Sequence, residues 1–137
     1  MYEIITDSIN RYFATNFVNE PLVNPTNLKV HYVNKNYAFD NRSLENWISL
    51  YVDFTETTRD TFGSSIPYLA RGLINITLTS KLQADTSLLN AKAEIERIFN
   101  EQCVDNITFG LVRQVKSFYE DGYYYIILQV SFYKYTN

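Results

Sequence analysis

The feature that most limits the fold is an Asp-Gly pair between two runs of alternating residues near the end of the chain. Asp121-Gly122 separates the runs 107–119 and 123–135. Both turn residues tolerate positive φ, which a two-residue hairpin turn requires. The two runs are therefore predicted to be adjacent antiparallel strands.

The second strand of this hairpin is apolar on both faces. One face carries Ile126, Leu128, Val130 and Phe132, and the other carries Tyr123, Tyr125, Ile127, Tyr133 and Tyr135. A strand of this kind is typical of a sheet that is covered on both sides. Two helices are expected to form one cover, and a neighbouring subunit could form the other; the alternative is one helix on each face. Tyr123, Tyr125 and Tyr133 are the candidate interface residues of this strand.

The rest of the chain predicts two helices and two further strands. Apolar spacing indicates helices over 2–17 and 86–102, and alternation indicates strands over 47–56 and 68–81. The Asn-rich segment 18–46 is interpreted as a long connection, within which Val30 and Tyr32 fit a short strand. The predicted fold is a single α+β domain over residues 1–137 in the order α-β-β-α-β-β, with a mostly antiparallel sheet of about four strands and two helices.

Composition argues against several classes of partner and site. The formal net charge is -3, whereas nucleic acids and anionic membranes select a cationic excess. The chain has one cysteine, so a disulfide within it is impossible. No basic segment followed by an apolar run opens the sequence, and no run approaches the roughly 20 apolar residues that span a bilayer. A soluble protein without a specific nucleic-acid or membrane partner is expected.

The residues that could support catalysis are few. His31 is the only histidine, and it has no nucleophile motif beside it. Cys103 is predicted to be buried or inert, and the carboxylate pair Glu94 and Glu96 is interpreted as a solvated helix face. No glycine-rich phosphate loop occurs. The chain is therefore predicted to be no enzyme and to need no cofactor or metal; a small enzyme, or an aromatic platform for single-stranded nucleic acid, remains as an alternative.

Four motifs in order resemble a known family. They are the opening helix segment INRYFATNF (9–17), the tryptophan-led strand WISLYV (47–52), the strand RGLINITL (71–78) and the closing segment DGYYYIILQVSF (121–132). Together they are similar to the tail terminator, or tail completion, proteins of long-tailed phages, which are related in fold to the lambda-type terminator. The resemblance covers nearly the whole chain and depends on order and spacing.

The resemblance implies a structural role in the virion. Such subunits form a ring, typically a hexamer, that docks on the last ring of the tail tube, stops its polymerisation and presents a docking surface to the head. The implied partners are further copies of the chain, the tail tube protein, head–tail connector or neck proteins, and the tape measure protein. The implied location is the tail or neck of the virion, and the host cytoplasm during assembly. Another head–tail connector or neck (head completion) protein is the alternative.

Two further interface predictions concern charged and loop residues. The polar loop 57–66, with Arg59, Asp60 and Phe62, has the character of a protruding loop that becomes ordered on a neighbour or on the tube. Arg71 opens an otherwise neutral strand and is expected to pair with a carboxylate, which could belong to a neighbouring subunit. An exposed arginine at the end of a strand is the alternative.

Overall fold

A computed structural model describes residues 2–18, 29–34, 46–59, 68–81 and 86–136 of the chain. These residues form two helices and six strands. In chain order they are α1 (Tyr2–Val18), β1 (Lys29–Tyr32), β2 (Asn46–Arg59), β3 (Tyr68–Ser80), α2 (Thr86–Phe99), β4 (Cys103–Val104), β5 (Ile107–Glu120) and β6 (Tyr123–Thr136).

The strands form one curled, mixed sheet in the order β1-β2-β3-β6-β5-β4. Its centre consists of two antiparallel hairpins, β2–β3 and β5–β6, joined by antiparallel pairing of β3 with β6. The short strand β1 runs parallel to β2 at one edge, and β4 pairs with β5 at the other. Sequential strands commonly pair in this way when their connections are short.

The predicted four-stranded sheet and the order α-β-β-α-β-β are therefore wrong, because the chain has six strands in the order α-β-β-β-α-β-β-β. The two strands absent from that order are only four and two residues long. Alternation cannot identify segments of this length, because they become strands by pairing with a long neighbour. The segment around Val30 and Tyr32 does form a strand, β1.

Both helices pack on the same face of the sheet. The ring of Phe99 on α2 lies 5.7 Å from that of Tyr12 and 6.2 Å from that of Phe13, both on α1. Phe99 also meets Phe109 of β5 edge to face at 5.0 Å. The buried residues of both helices and of alternate positions on β2, β3 and β6 form a single apolar core. The alternative with one helix on each face is therefore wrong.

Two polar helix residues are buried, one of which, Glu94, was predicted to lie on a solvated helix face. Asn10 is 2% exposed and lines the same depression as Tyr32 of β1. Glu94 is 5% exposed and accepts a hydrogen bond from Nε of Arg97 at 2.6 Å. Helical spacing assigns a residue to one side of a helix, but the elements packed around that side decide its burial.

Candidate interaction face

The sheet has a second face, which neither helix contacts, and we call it the helix-free face. Its side chains come from alternate positions of the four long strands, and the strand register aligns them in rows. One row is Trp47, Thr79, Tyr125 and Phe118, a second is Tyr51, Asn75, Gln129 and Arg113, and a third includes Arg71, Tyr133 and Thr108. The second and third rows present exposed tyrosines and charged residues, whereas Trp47 and Thr79 of the first row are buried.

An aromatic cluster, which we call the hairpin-end cluster, lies on this face beside the β5–β6 turn. Tyr123 meets Trp47 edge to face at 5.4 Å and lies 6.4 Å from Tyr125. Tyr125 stacks on Phe118 at 4.9 Å, and Nζ of Lys116 lies 4.8 Å from the centre of the Phe118 ring. Contacts between rings at these distances stabilise each pair by about 0.5–1.5 kcal/mol beyond the area they bury.

The electrostatics of the hairpin-end cluster are set by the adjacent acidic turn. Burial raises the pKa of the Tyr125 hydroxyl, and the negative charges of Glu120 and Asp121 raise it further, with a contribution from Tyr123. All these causes disfavour the phenolate. The Tyr125 hydroxyl therefore keeps its proton to a higher pH than an ordinary tyrosine, and it can donate a hydrogen bond to a partner.

A shallow groove lies at the opposite end of the helix-free face and has a volume of about 450 Å³. The rings of Tyr133 and Tyr135 meet edge to face at 6.0 Å on one side of it, and Arg71 contributes to its lining. Leu69, only 3% exposed, provides an apolar surface in the groove. Tyrosine and arginine around an apolar pocket are enriched in protein–protein interfaces.

Polar side chains separate the two ends. Nε2 of Gln129 donates a hydrogen bond to Oδ1 of Asn75 at 2.9 Å, across β6 and β3. This bond satisfies one donor and one acceptor of half-buried amides in the middle of the sheet. The helix-free face therefore consists of two aromatic regions with a polar band between them.

The edge of the sheet at β5 is largely open. Among the described residues, β4 pairs with β5 at Ile107 and Thr108, and the segment 100–102 bonds the backbone of β5 as far as Val112. Residues 113–120 have no described neighbour on that side. Leu111, Val115 and Tyr119 are between 51% and 58% exposed along this edge. β5 also has two irregularities in its pairing with β6, and Val115 is the extra residue at the second. Bulges occur preferentially at sheet edges and increase the local twist.

The structure places four of the predicted interface residues on the helix-free face. Tyr123 and Tyr125 belong to the hairpin-end cluster, whereas Arg71 and Tyr133 line the groove. Tyr125 and Tyr133 are eight positions apart on one strand, or about 27 Å. The predicted residues therefore form two groups rather than one site, and their interface role stays a prediction.

The remaining predicted residues belong to the polar loop. Arg59 is the last residue of β2, and Asp60 and Phe62 lie outside the described residues. Arg71, for which a carboxylate partner was expected, has Glu56 as its register neighbour on β2 of the same chain.

Three further residues of this face were not among the predicted site residues. Trp47 and Phe118 complete the hairpin-end cluster, and Tyr135 completes the groove. Alternation puts each of them on the correct side of its strand, but the pairing of β3 with β6 is what brings Trp47 to Tyr123.

Residues that could bind metals or react are dispersed in the described part of the chain. No three His, Cys, Asp or Glu residues there are grouped so that they could hold a metal ion. Cys103 was predicted to be buried or inert; it is exposed on β4, so the first alternative is wrong, and its sulfur accepts a hydrogen bond from the Thr108 hydroxyl at 3.8 Å. Neither described helix combines the length and the apolar character needed to cross a membrane.

Comparison with known proteins finds similarity of fold alone. No protein-family model and no curated protein matches the chain. A solved protein known only by a sequence identifier has 14% identity and a TM-score of 0.70, over 100% of this chain and 96% of its own. A chain from the virion of a native gene transfer agent particle has 8% identity and a TM-score of 0.53, over 96% of this chain and 92% of its own. At these identities the likeness shows a shared fold.

Proposed function

We propose that this chain is a structural subunit of a phage-like virion, and that within the particle it is a tail terminator. In this role, copies of the chain form a closed ring, a hexamer by the family resemblance. The ring binds the last ring of the tail tube, ends tube growth and presents a docking surface to the neck. It performs no chemistry.

The observation that carries this proposal is the likeness of fold to a chain of the gene transfer agent virion. That likeness extends over 96% of this chain and 92% of the virion chain, so it concerns the whole arrangement of elements rather than a shared hairpin. Four ordered sequence motifs, which resemble tail terminators, provide independent support. Fold alone does not determine function, so the role within the particle depends on the surface as well.

The helix-free face supports an assembly role. Tyr133 and Tyr135 are 44% and 49% exposed beside an apolar groove, and Tyr51 is 41% exposed on the same face. Exposed aromatic rings on a rigid scaffold are typical of surfaces that bind another protein. A partner on this face would provide the second cover that the doubly apolar strand β6 predicts.

The experiment is to examine particles assembled without the protein. Deleting its gene from the producing phage or cell, and imaging the particles by electron microscopy, should give overlong tails or tails without heads. Expression of the intact chain from a plasmid should restore tails of normal length. Normal tails on leaking or unfilled heads would contradict the terminator role and favour a connector or neck protein. Wholly normal particles would contradict both.

A further inference from the structure

We propose that neighbouring copies of the chain pair edge to edge, with β5 of one copy adding to the far end of β2 in the next and Asp53 facing Lys116. The inference rests on the proposed ring and names the surfaces that close it. It predicts a sheet that continues from subunit to subunit.

Both edges have an open stretch within the described residues. On β2, the last backbone partner of the edge is Val52, whose amide and carbonyl bond the Asn34 side chain at 2.7 and 3.1 Å. Residues 53–59 beyond it have no described neighbour strand on that side. On β5, the open stretch begins after Val112, whose amide donates a hydrogen bond to Oδ1 of Asn100 at 2.7 Å. Residues 113–116 can therefore pair with 53–56, about 13 Å of strand.

The paired stretches 53–56 and 113–116 carry opposite charges. The stretch of β5 contains Arg113 and Lys116 and no acidic residue. Both lie on the helix-free face, opposite Gln129 and Ile127 of β6. Asp53 is exposed on the same face of β2, opposite Leu73 of β3. Opposite charges on neighbouring strands contribute roughly 0.2–1 kcal/mol per pair.

The charged positions have the same spacing along β5 as along β2. Arg113 and Lys116 are separated by two register positions of β6, because Val115 is an extra residue between them. Asp53 and Glu56 are likewise separated by two register positions of β3, with an extra residue between them. An antiparallel register with Asp53 opposite Lys116 therefore places position 56 opposite Arg113.

Strand direction favours a second copy in a cyclic arrangement. β2, β3, β6 and β5 alternate in direction, so β5 and β2 are antiparallel within one chain. Rotating a copy about the axis of a ring keeps the angle of every strand to that axis, so β5 meets the next β2 in antiparallel fashion. The register proposed here is displaced by four positions from the rows of one subunit, which requires strands that are tilted to the ring axis. Pairing of β5 with another β5 would instead oppose like charges, which is destabilising. The favoured contact is therefore heterologous, the kind that closes rings.

The test is disulfide capture between two single-cysteine variants of the full chain. Cys103 is exposed, so Cys103→Ser is the background. A chain with Asp53→Cys is mixed with a chain with Lys116→Cys and oxidised with diamide. Residues directly opposite on antiparallel strands have the Cα separation that a disulfide accepts, so covalent dimers are expected. The matched control replaces Lys116→Cys by Arg11→Cys, which is exposed on α1, and should give no dimers above background.

Charge reversal provides the second measurement. Arg113→Glu with Lys116→Glu should weaken self-association at least about tenfold, because like charges then meet across the edge. Adding Asp53→Lys should recover part of that loss, and circular dichroism checks that each variant folds.

The outcomes separate this proposal from the ring itself. Rings that persist while the Asp53–Lys116 pair gives no more dimer than the Arg11 control would overturn the edge assignment and leave the terminator role intact. Monomers at every concentration, with no capture, would overturn both. Capture together with normal particles in the gene deletion would uphold the edge pairing and overturn the terminator role.

Discussion

Gly72 lies where the largest rings of two neighbouring strands meet on the helix-covered face. Its register partners are Phe54 on β2 and Phe132 on β6, whose rings meet edge to face at 5.5 Å. A Cβ at position 72 would lie 2.5 Å from Cζ of Phe132 and would also clash with the Asp53 carbonyl oxygen. Because Gly72 has no side chain, the ring of Phe132 can occupy this space.

Gly72→Ala is expected to lower the free energy of unfolding by about 1–3 kcal/mol, because a methyl group is forced into a packed core. Gly110→Ala is the matched control, since the Cβ there would meet mainly the exposed hydroxyl of Ser131, which can rotate away. Urea denaturation measures both variants. Equal stability of the two would contradict the packing described around Gly72.

Tyr12 of α1 contacts α2 through its hydroxyl as well as through its ring. The group donates a hydrogen bond to the Ile98 carbonyl oxygen at 2.5 Å, and burial raises the pKa of Tyr12, partly offset by Arg97. Tyr12→Phe is expected to cost about 1 kcal/mol of folding free energy at neutral pH. Tyr119→Phe, at a ring that is 57% exposed, should cost less than about 0.5 kcal/mol.

The Tyr12 hydroxyl also gives a pH dependence with a definite sign. Its pKa is higher in the folded chain than the ordinary value of 10.0, so the unfolded chain loses this proton first as the pH rises. The stability that Tyr12 contributes is therefore complete below pH 10 and decreases above it. The difference in unfolding free energy between the wild type and Tyr12→Phe should shrink above pH 10; a constant difference would contradict this.

At the scale of elements, the structure confirms the β5–β6 hairpin that the Asp121-Gly122 pair predicts. Asp121 and Gly122 have φ values of 53° and 84° and connect strands that begin and end within one residue of the predicted bounds.

The C-terminus of α2 was less predictable. Apolar spacing extends to residue 102, but the helix ends at Phe99 and Glu101 adopts φ 57°. The strand β4 begins at Cys103, so α2 has to end before that residue.

Gly122→Ala is expected to destabilise the chain by about 1–2 kcal/mol, because a Cβ makes the left-handed conformation costly although the space around it is open. Asp121→Asn is the control and should be close to neutral, since Asn adopts that conformation readily. Thermal unfolding followed by circular dichroism distinguishes the two. A neutral Gly122→Ala would mean that the turn relaxes to another type.

At the scale of the whole molecule, the balance of charge against apolar contact predicts the effect of salt on assembly. If Asp53 and Lys116 face each other across subunits, screening weakens the contact, since the Debye length falls from about 10 Å at 0.1 M to 3 Å at 1 M salt. Self-association measured by sedimentation should therefore weaken as sodium chloride rises. In the Arg113→Glu, Lys116→Glu variant the trend should reverse. Association that strengthens with salt in the wild type would indicate a contact dominated by aromatic residues.

The candidate site was predictable in part. Alternation alone puts Tyr123, Tyr125 and Tyr133 on one face of β6, and the structure agrees. It could not show that the first two cluster with Trp47 while Tyr133 lies at a groove about 27 Å away. Those groupings depend on which strands lie next to each other in the sheet, and the residues of such strands are far apart in the chain.

The sequence by itself determined the two helices, the four long strands and the hairpin, because periodicity and turn chemistry act over a few residues. Only the tertiary structure decided that β3 pairs with β6, that β1 and β4 extend the sheet, and that both helices cover one face. These features depend on contacts between segments that are distant in the chain, and the burial of apolar surface common to the whole domain stabilises those contacts. The helix-free face and the open edges of the sheet result from these contacts.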